Sequence, residues 1–365
     1  MSGSSYVFAG GGTGGHLFPG LAVAAALRAR DATGEITFFT TTRELDKELL
    51  GQTDFTQIEQ PVRPLTMNPL RFPAFWWSWR RSVRAARAFL REKRPRAVLG
   101  LGGYAAGPPV VAARSLRIRT AILNQDALPG RANRYLARHA DLVVLQWETS
   151  KEHFPAGTNC QVLGCPIRAE FAGTRQEEGR ARFGLDPARP VLLVTGASQG
   201  ARTVNRVMQG VWPEFVARHP EWQILHLSGS LDKEQTRAAY AQARVEAHVL
   251  AFTHEMWLAL AAADAVVSRA GASTLAELAA LGLPAVLLPY PYHRDRHQHA
   301  NAGVLVNAGA AVLVEDRLEP ELNRGPVLEA LERLADRAVR KEMARAALGL
   351  GRADAAERVA EWMIG

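Results

Sequence analysis

The sequence predicts an α/β chain of two doubly wound parallel-sheet halves, and three observations carry that prediction. Short apolar runs alternate with longer helix-period segments along the whole chain. Glycine-rich turns stand between several of those runs and the helices that follow. The rhythm breaks once, after Gly164-Cys165-Pro166, across a polar stretch to Pro190, and then restarts.

In the first half, residues 6–9 read as a buried strand, followed by a glycine loop and a helix over 17–30. Residues 36–40, 97–100, 120–123 and 142–145 repeat the strand pattern, with helix-like segments between them. In the second half the strand candidates are 191–195, 223–227, 248–251, 265–268, 285–288 and 311–314. The expected division is 1–165 and 166–350, with a tail over 351–365 whose helix packs back on the first domain. A chain of 365 residues is long enough for two such cores.

The net charge of +8 is local. Between Arg71 and Arg96 nine basic residues face one acid, Glu92, so the rest of the chain is neutral by count. The same window holds Trp76, Trp77 and Trp79. Trp76, Trp79, Val83, Ala86 and Leu90 step by three and four as one helical stripe; Arg80, Arg84, Arg87, Arg91 and Arg94 form a second. Two readings fit: an aromatic core stripe beside a solvated face, or an interfacial element. In the second, the 65–75 loop and the tryptophans enter a lipid headgroup zone while the arginines attract anionic lipid. No nucleic-acid-binding motif accompanies the charge.

Cys160 and Cys165 form neither a disulfide framework nor a CxxC metal pattern, which points to a reducing compartment. No run approaches the ~18 apolar residues a bilayer span needs, and the N-terminal residues lack the layout of a signal peptide.

The most specific signal is Gly10-Gly11-Gly12-Thr13-Gly14-Gly15, followed by His16. Glycines between a strand and a helix let backbone N–H groups approach an anion at the helix N-terminus. Gly10, Gly12 and Gly15 also match the dinucleotide spacing, but the second strand ends in Thr40-Thr41-Thr42-Arg43, without the ribose-binding acid. Further turns follow at Gly100–Gly107 and at Gly196-Ala197-Ser198-Gln199-Gly200. Two lie in one half and one in the other, which places the expected ligand between the halves. No GxxxxGK[ST] loop occurs. In the second half, Ser268-Arg269-Ala270-Gly271 leads into Ala272-Ser273-Thr274 and Glu277. Such a turn suits a diphosphate, and Glu277 suits the hydroxyls of a ribose. His297, Gln298 and Asn301 follow a proline-rich loop and are candidates for reading a sugar.

Taken together, the segments 11–20 (GGTGGHLFPG), 102–109 (GGYAAGPP), 196–202 (GASQGAR), 268–277 (SRAGASTLAE) and 297–302 (HQHANA) resemble, in order, those of the MurG family. These are bacterial GlcNAc transferases acting on undecaprenyl-diphospho-muramoylpentapeptide. The resemblance implies a GT-B fold, with the acceptor held mainly by the first domain and UDP-GlcNAc mainly by the second. It implies donor binding at Thr13, Gly14, Gly15, Asp126, Arg168, Ser198, Thr253, Ala272, Ser273, Thr274, Glu277 and Gln298. It further implies acceptor-diphosphate contacts at Gly14, Gly15, Gly102, Gly103 and Tyr104, and a membrane face at Trp76, Trp77, Trp79, Arg80 and Arg84. His16 matches a family histidine proposed as base or as its positioner. The family's Glu-Gln-Asn is here Asn124-Gln125-Asp126, which leaves His16 or Asp126 as the base.

No Asp-x-Asp occurs, so neither a metal nor another cofactor is expected. Expected partners are UDP-GlcNAc, the lipid-linked acceptor (lipid I), an anionic membrane surface and cell-wall synthesis proteins, with no nucleic acid. The expected place is the cytoplasmic face of the cell membrane. Competing readings are a diacylglycerol-type GT-B enzyme, an NAD(P) oxidoreductase and a non-enzymatic basic surface-binding protein.

Overall fold

The computed structural model describes residues 4–66, 68, 70–196, 200–292 and 295–365. The chain divides into two compact units, Met1–Arg168 with Ala353–Gly365, and Ala169–Arg352.

The first unit carries β1 (Ser5–Ala9), β2 (Glu35–Thr40), β3 (Thr56–Glu59), β4 (Ala97–Gly100), β5 (Arg119–Asn124), β6 (Leu142–Leu145) and β7 (Cys160–Val162). Their order is β3-β2-β1-β4-β5-β6-β7, and every pairing is parallel. The helices that position the site are α1 (Gly14–Arg30), α2 (Glu44–Gly51), α3 (Phe72–Lys93), α4 (Gly107–Ser115) and α5 (Arg131–Leu136). Central strands are buried and mainly apolar because helices cover both faces. Phe8 of β1 stands opposite Phe38 of β2, and their rings stack at 4.7 Å. The helix Ala355–Ile364 returns to this unit and inserts Val359, Ala360 and Met363 into its core.

β3 and β7 were not among the strand candidates. Both are short sheet edges whose residues are only partly covered, so neither shows an apolar run. All six candidates of the second half are strands: β8 (Val191–Thr195), β9 (Gln223–Leu227), β10 (His248–Leu250), β11 (Ala265–Ser268), β12 (Ala285–Leu287) and β13 (Ala311–Leu313). Their order is β10-β9-β8-β11-β12-β13, again wholly parallel. Chain order reverses between β1 and β4 and between β8 and β11. The turns leaving those neighbours diverge and open a crevice at each sheet's C-terminal edge.

In α3 the buried line is Ser78, Ser82, Ala86 and Leu90. The expected aromatic stripe is therefore displaced by one position at its N-terminal end. Ser78 and Ser82 are the buried positions at this end of α3, which packs on α4, and Trp76 and Trp77 are exposed. Trp79 is half-buried against Gly107 of α4, where a Cβ would meet its ring.

A buried polar network braces the second unit. Asn205, on the helix Arg202–Arg218, donates through Nδ2 to the Ser228 carbonyl and to Asp232. Its Oδ1 must then accept from His226 Nε2 at 3.0 Å, so Nδ1 of His226 accepts from the Tyr240 hydroxyl at 2.9 Å. Full burial pushes the His226 pKa down from 6.5 to about 3 and raises that of Tyr240.

Below pH 6.5 the unfolded chain takes up a proton that folded His226 refuses. Stability from this group is thus complete above 6.5 and falls by up to about 1.4 kcal/mol per unit as pH drops toward 3. Urea unfolding across that range should show the slope, and His226→Gln should lose this share of it. An unchanged slope in the variant contradicts the assignment.

Candidate active site

The first crevice is built where β1 runs into α1. Gly14 opens α1, so the positive end of the helix dipole and the amides of its first turn sit at the strand's C-terminus. Thr13 and Gly15 are exposed there, and Gly14 and His16 are half-buried. Gly102 and Gly103, after β4, have φ of +98° and +71°. A Cβ on Gly102 would stand 3.1 Å from His16 Cδ2, and one on Gly103 3.4 Å from Cε1. Glycine is needed at Gly102 both for its left-handed backbone and because the imidazole lies against it. Tyr104 begins the short turn Tyr104–Ala106 and is half-buried beside them.

The His16 Nδ1 lies 3.0 Å from Thr13 Oγ1. Burial lowers its pKa below 6.5, while the carboxylates of Asp126 and Asp46 act in the opposite sense. His16 is therefore a neutral imidazole at pH 7, in the state that accepts a proton. Asp126 follows β5; its main-chain carbonyl accepts from Asn124 Nδ2 at 2.9 Å, and Asn124 Oδ1 accepts from Asn133 of α5. Arg168 extends its guanidinium over the Phe18 ring of α1 at 5.4 Å. The first unit thus brings together Thr13, His16, Gly102, Gly103 and, within range of its charge, Asp126.

In the second unit, Gly271 caps the helix Ala272–Leu281, which places Ala272, Ser273 and Thr274 in its first turn and Glu277 on its second, all half-buried. The turn is fixed from beneath. Arg269 donates to Asp316 at 2.7 Å, to the carbonyls of Leu288 and Pro289, and to Thr203. Gln298 Oε1 accepts from the backbone amides of Ala270 at 3.2 Å and Tyr290 at 2.8 Å, so its Nε2 is the end left to donate toward a sugar hydroxyl. Asn301 is fully buried and donates to the Ala270 carbonyl; it is a tie of this turn, not a sugar-facing residue. Thr253 lies on a separate loop after β10 and accepts from the Glu255 amide at 3.1 Å. Ser198 lies outside the described residues. Among the described residues no cluster of three or more His, Cys, Asp or Glu is placed to hold a metal ion.

Comparison with known proteins agrees with this layout. Residues 6–145 match the glycosyltransferase family 28 N-terminal domain and residues 191–359 its C-terminal domain. A UDP-N-acetylglucosamine--N-acetylmuramyl-(pentapeptide) pyrophosphoryl-undecaprenol N-acetylglucosamine transferase from Xanthomonas euvesicatoria is 41% identical over 364 residues, covering 97% of this chain and 79% of that protein. One of the same description from Desulforudis audaxviator is 37% identical over 319 residues, 85% of each chain.

The chain belongs to the MurG family.

The crystal structure of MurG from Acinetobacter baumannii matches it with a TM-score of 0.77 at 27% identity, covering 99% of both chains. A Neisseria meningitidis UDP-GlcNAc 2-epimerase shares the fold at a TM-score of 0.71 and 14% identity. Within the MurG family frame, motif matching alone did not reveal Asp46, Arg43 or Asp316, which hold the motif residues in place. Asp46 had one visible signal, an acid six residues beyond the second strand.

Arg269 and Asp316 are buried together, so removing one partner leaves an uncompensated charge. Arg269→Met should destabilise the protein by ~3–5 kcal/mol, read by urea unfolding. A loss below about 1 kcal/mol would contradict that role.

Proposed function

We propose that the chain is an inverting glycosyltransferase that moves N-acetylglucosamine from UDP-GlcNAc to the C4 hydroxyl of undecaprenyl-diphospho-MurNAc-pentapeptide, giving lipid II. The single observation that carries the chemistry is His16, a neutral imidazole pressed between two glycine turns at the C-terminal edge of the first sheet.

In this mechanism His16 Nε2 takes the proton of the C4 hydroxyl as that oxygen attacks the anomeric carbon. The bond from the anomeric carbon to the UDP oxygen breaks on the opposite face, so configuration inverts in one step. Thr13 holds Nδ1 and thereby orients the ring. Asp126 favours the imidazolium formed in the step. Gly14, Gly15, Gly102, Gly103 and Tyr104 surround the acceptor diphosphate. The turn before Ala272, with Ser273 and Thr274, receives the charge that grows on UDP. Glu277 binds the ribose hydroxyls, Gln298 Nε2 a sugar hydroxyl, and Ser198 and Thr253 complete the donor set. Charge on the leaving group is met by a helix N-terminus, with no metal required.

Steady-state rates decide the role of His16. His16→Ala should lower kcat by ~10²–10⁴-fold, and wild-type kcat/KM should fall on acidification with a midpoint below 6.5. A variant retaining near-normal kcat removes His16 from the chemistry. EDTA should leave the rate unchanged; abolition by EDTA overturns the metal-free mechanism.

The same reading places the enzyme on the cytoplasmic face of an anionic membrane, beside other wall-building proteins. Around the start of α3, Leu65, Leu70, Phe72, Trp76 and Trp77 are exposed, Leu70 by 89% and Trp77 by 62%. Arg80 stacks over Trp76 at 4.3 Å and Arg81 over Trp77 at 5.5 Å; Arg84 is exposed on the same helix. Met67 and Pro69 of this loop lie outside the described residues. Among the described residues no helix is long and apolar enough to cross a membrane. An apolar tip ringed by arginines suits docking at the headgroup level, where each basic residue contributes ~1 kcal/mol. Trp77→Ser with Leu70→Ser should weaken sedimentation with anionic vesicles by at least tenfold while leaving UDP-GlcNAc binding unchanged. Unaltered vesicle binding would remove this surface from membrane docking.

A further inference from the structure

We infer that Asp46 is a positioning residue for the first anion-binding turn and, through it, for His16. This rests on the reading of His16 given above.

Asp46 is fully buried in the first turn of α2. Its two oxygens accept from the Gly12 amide at 2.8 and 2.9 Å. They also accept from the Thr41 amide at 3.0 Å and the Thr41 hydroxyl at 2.5 Å. A carboxylate without a facing cation survives burial only when donors surround it. Here two amides, a hydroxyl and the N-terminal dipole of its own helix supply that environment.

The approach is too close for any side chain on Gly11, whose Cβ would stand 2.5 Å from Asp46 Oδ2. Arg43 takes the next peptide group, donating from Nη1 to the Gly12 carbonyl at 2.6 Å. One short segment, Thr41 to Asp46, therefore grips two successive peptides of the turn. Thr13 follows immediately, and its hydroxyl lies 3.0 Å from His16 Nδ1. The Gly12 amide is spent on Asp46, which leaves the first turn of α1 to face the anion.

Two charged groups from other elements act on the His16 ring. Asp126, after β5, and Asp46, in α2, both favour the protonated ring. Asn133 of α5 is neutral, and its Oδ1 would stand 3.7 Å from a Cβ on Gly102. Loss of the Asp46 charge moves the His16 titration downward, because a carboxylate that favours the imidazolium is gone.

The test uses the full chain, with His16 identified in proton NMR by difference from His16→Ala. Asp46→Asn keeps the shape and removes the charge. It should lower kcat about 10–100-fold, with KM for UDP-GlcNAc changed much less. It should also shift the His16 titration down by ~0.3–1 unit. Thr41→Val removes one hydrogen bond and keeps the carboxylate, so kcat should fall by a smaller factor with the titration unmoved. A folded Asp46→Asn enzyme with wild-type kcat, or with His16 titrating unmoved, overturns the inference. If Asp46→Asn does not fold, Thr41→Val decides: normal kcat there overturns it. The titration needs no turnover, so failure of His16 as base shows separately, as an active His16→Ala enzyme alongside an impaired Asp46→Asn one.

Discussion

A parallel strand can be continued only by crossing back over the face of its sheet. In both units that constraint sends every crossover onto the faces and puts the strand-to-helix turns at one edge. The reversals between β1 and β4 and between β8 and β11 then part the turns at one place in each sheet. The candidate site residues after β1, β4 and β11 are where they are for this reason. Their chemistry follows from position: amides at helix N-termini face outward, with His16 on the first turn behind one and Glu277 on the second turn behind the other.

The turns hold their shape through buried polar ties. Asp46 grips the first turn, and Arg269, Gln298 and Asn301 grip the one before Ala272. Each tie spends a side chain on backbone groups that would otherwise be unsatisfied in the interior. A loop that must present amides to an anion needs its remaining amides fixed elsewhere. The same logic extends into the second core, where His226, Asn205 and Asp232 lead from β9 to the Ser228 carbonyl.

Much of this was legible in the sequence because apolar runs and glycine turns report directly on covered strands and strand–helix junctions. Among the described residues, eleven of thirteen strands are legible as apolar runs; β3 and β7 are not, being half-covered edges. The helical stripe at Trp76 and Trp79 left two readings open, a core stripe or an interfacial one, and the fold divides it: Trp76 is exposed and Trp79 half-buried. Ser78 and Ser82 take the inner line, and an apolar count along the helix does not mark buried serines. Motif positions marked Thr13, His16, Glu277 and Gln298, but Gln298 revealed its second role only through its contacts. Asp46 stayed hidden because pattern reading seeks an acid that meets a ribose, whereas this acid turns inward to the loop. Localising the charge to 71–96 was possible by counting; that Trp76 and Trp77 face outward required the fold.

The most direct test of the account is the configuration of the bond formed. Incubation with ¹³C-labelled UDP-GlcNAc and a short-chain lipid I analogue allows the anomeric coupling of the product to be read by NMR. The account predicts a single new β-linkage to the C4 oxygen of the muramic acid, formed from the α-linked donor. An α-linkage, or release of UDP with no sugar transferred, would contradict it.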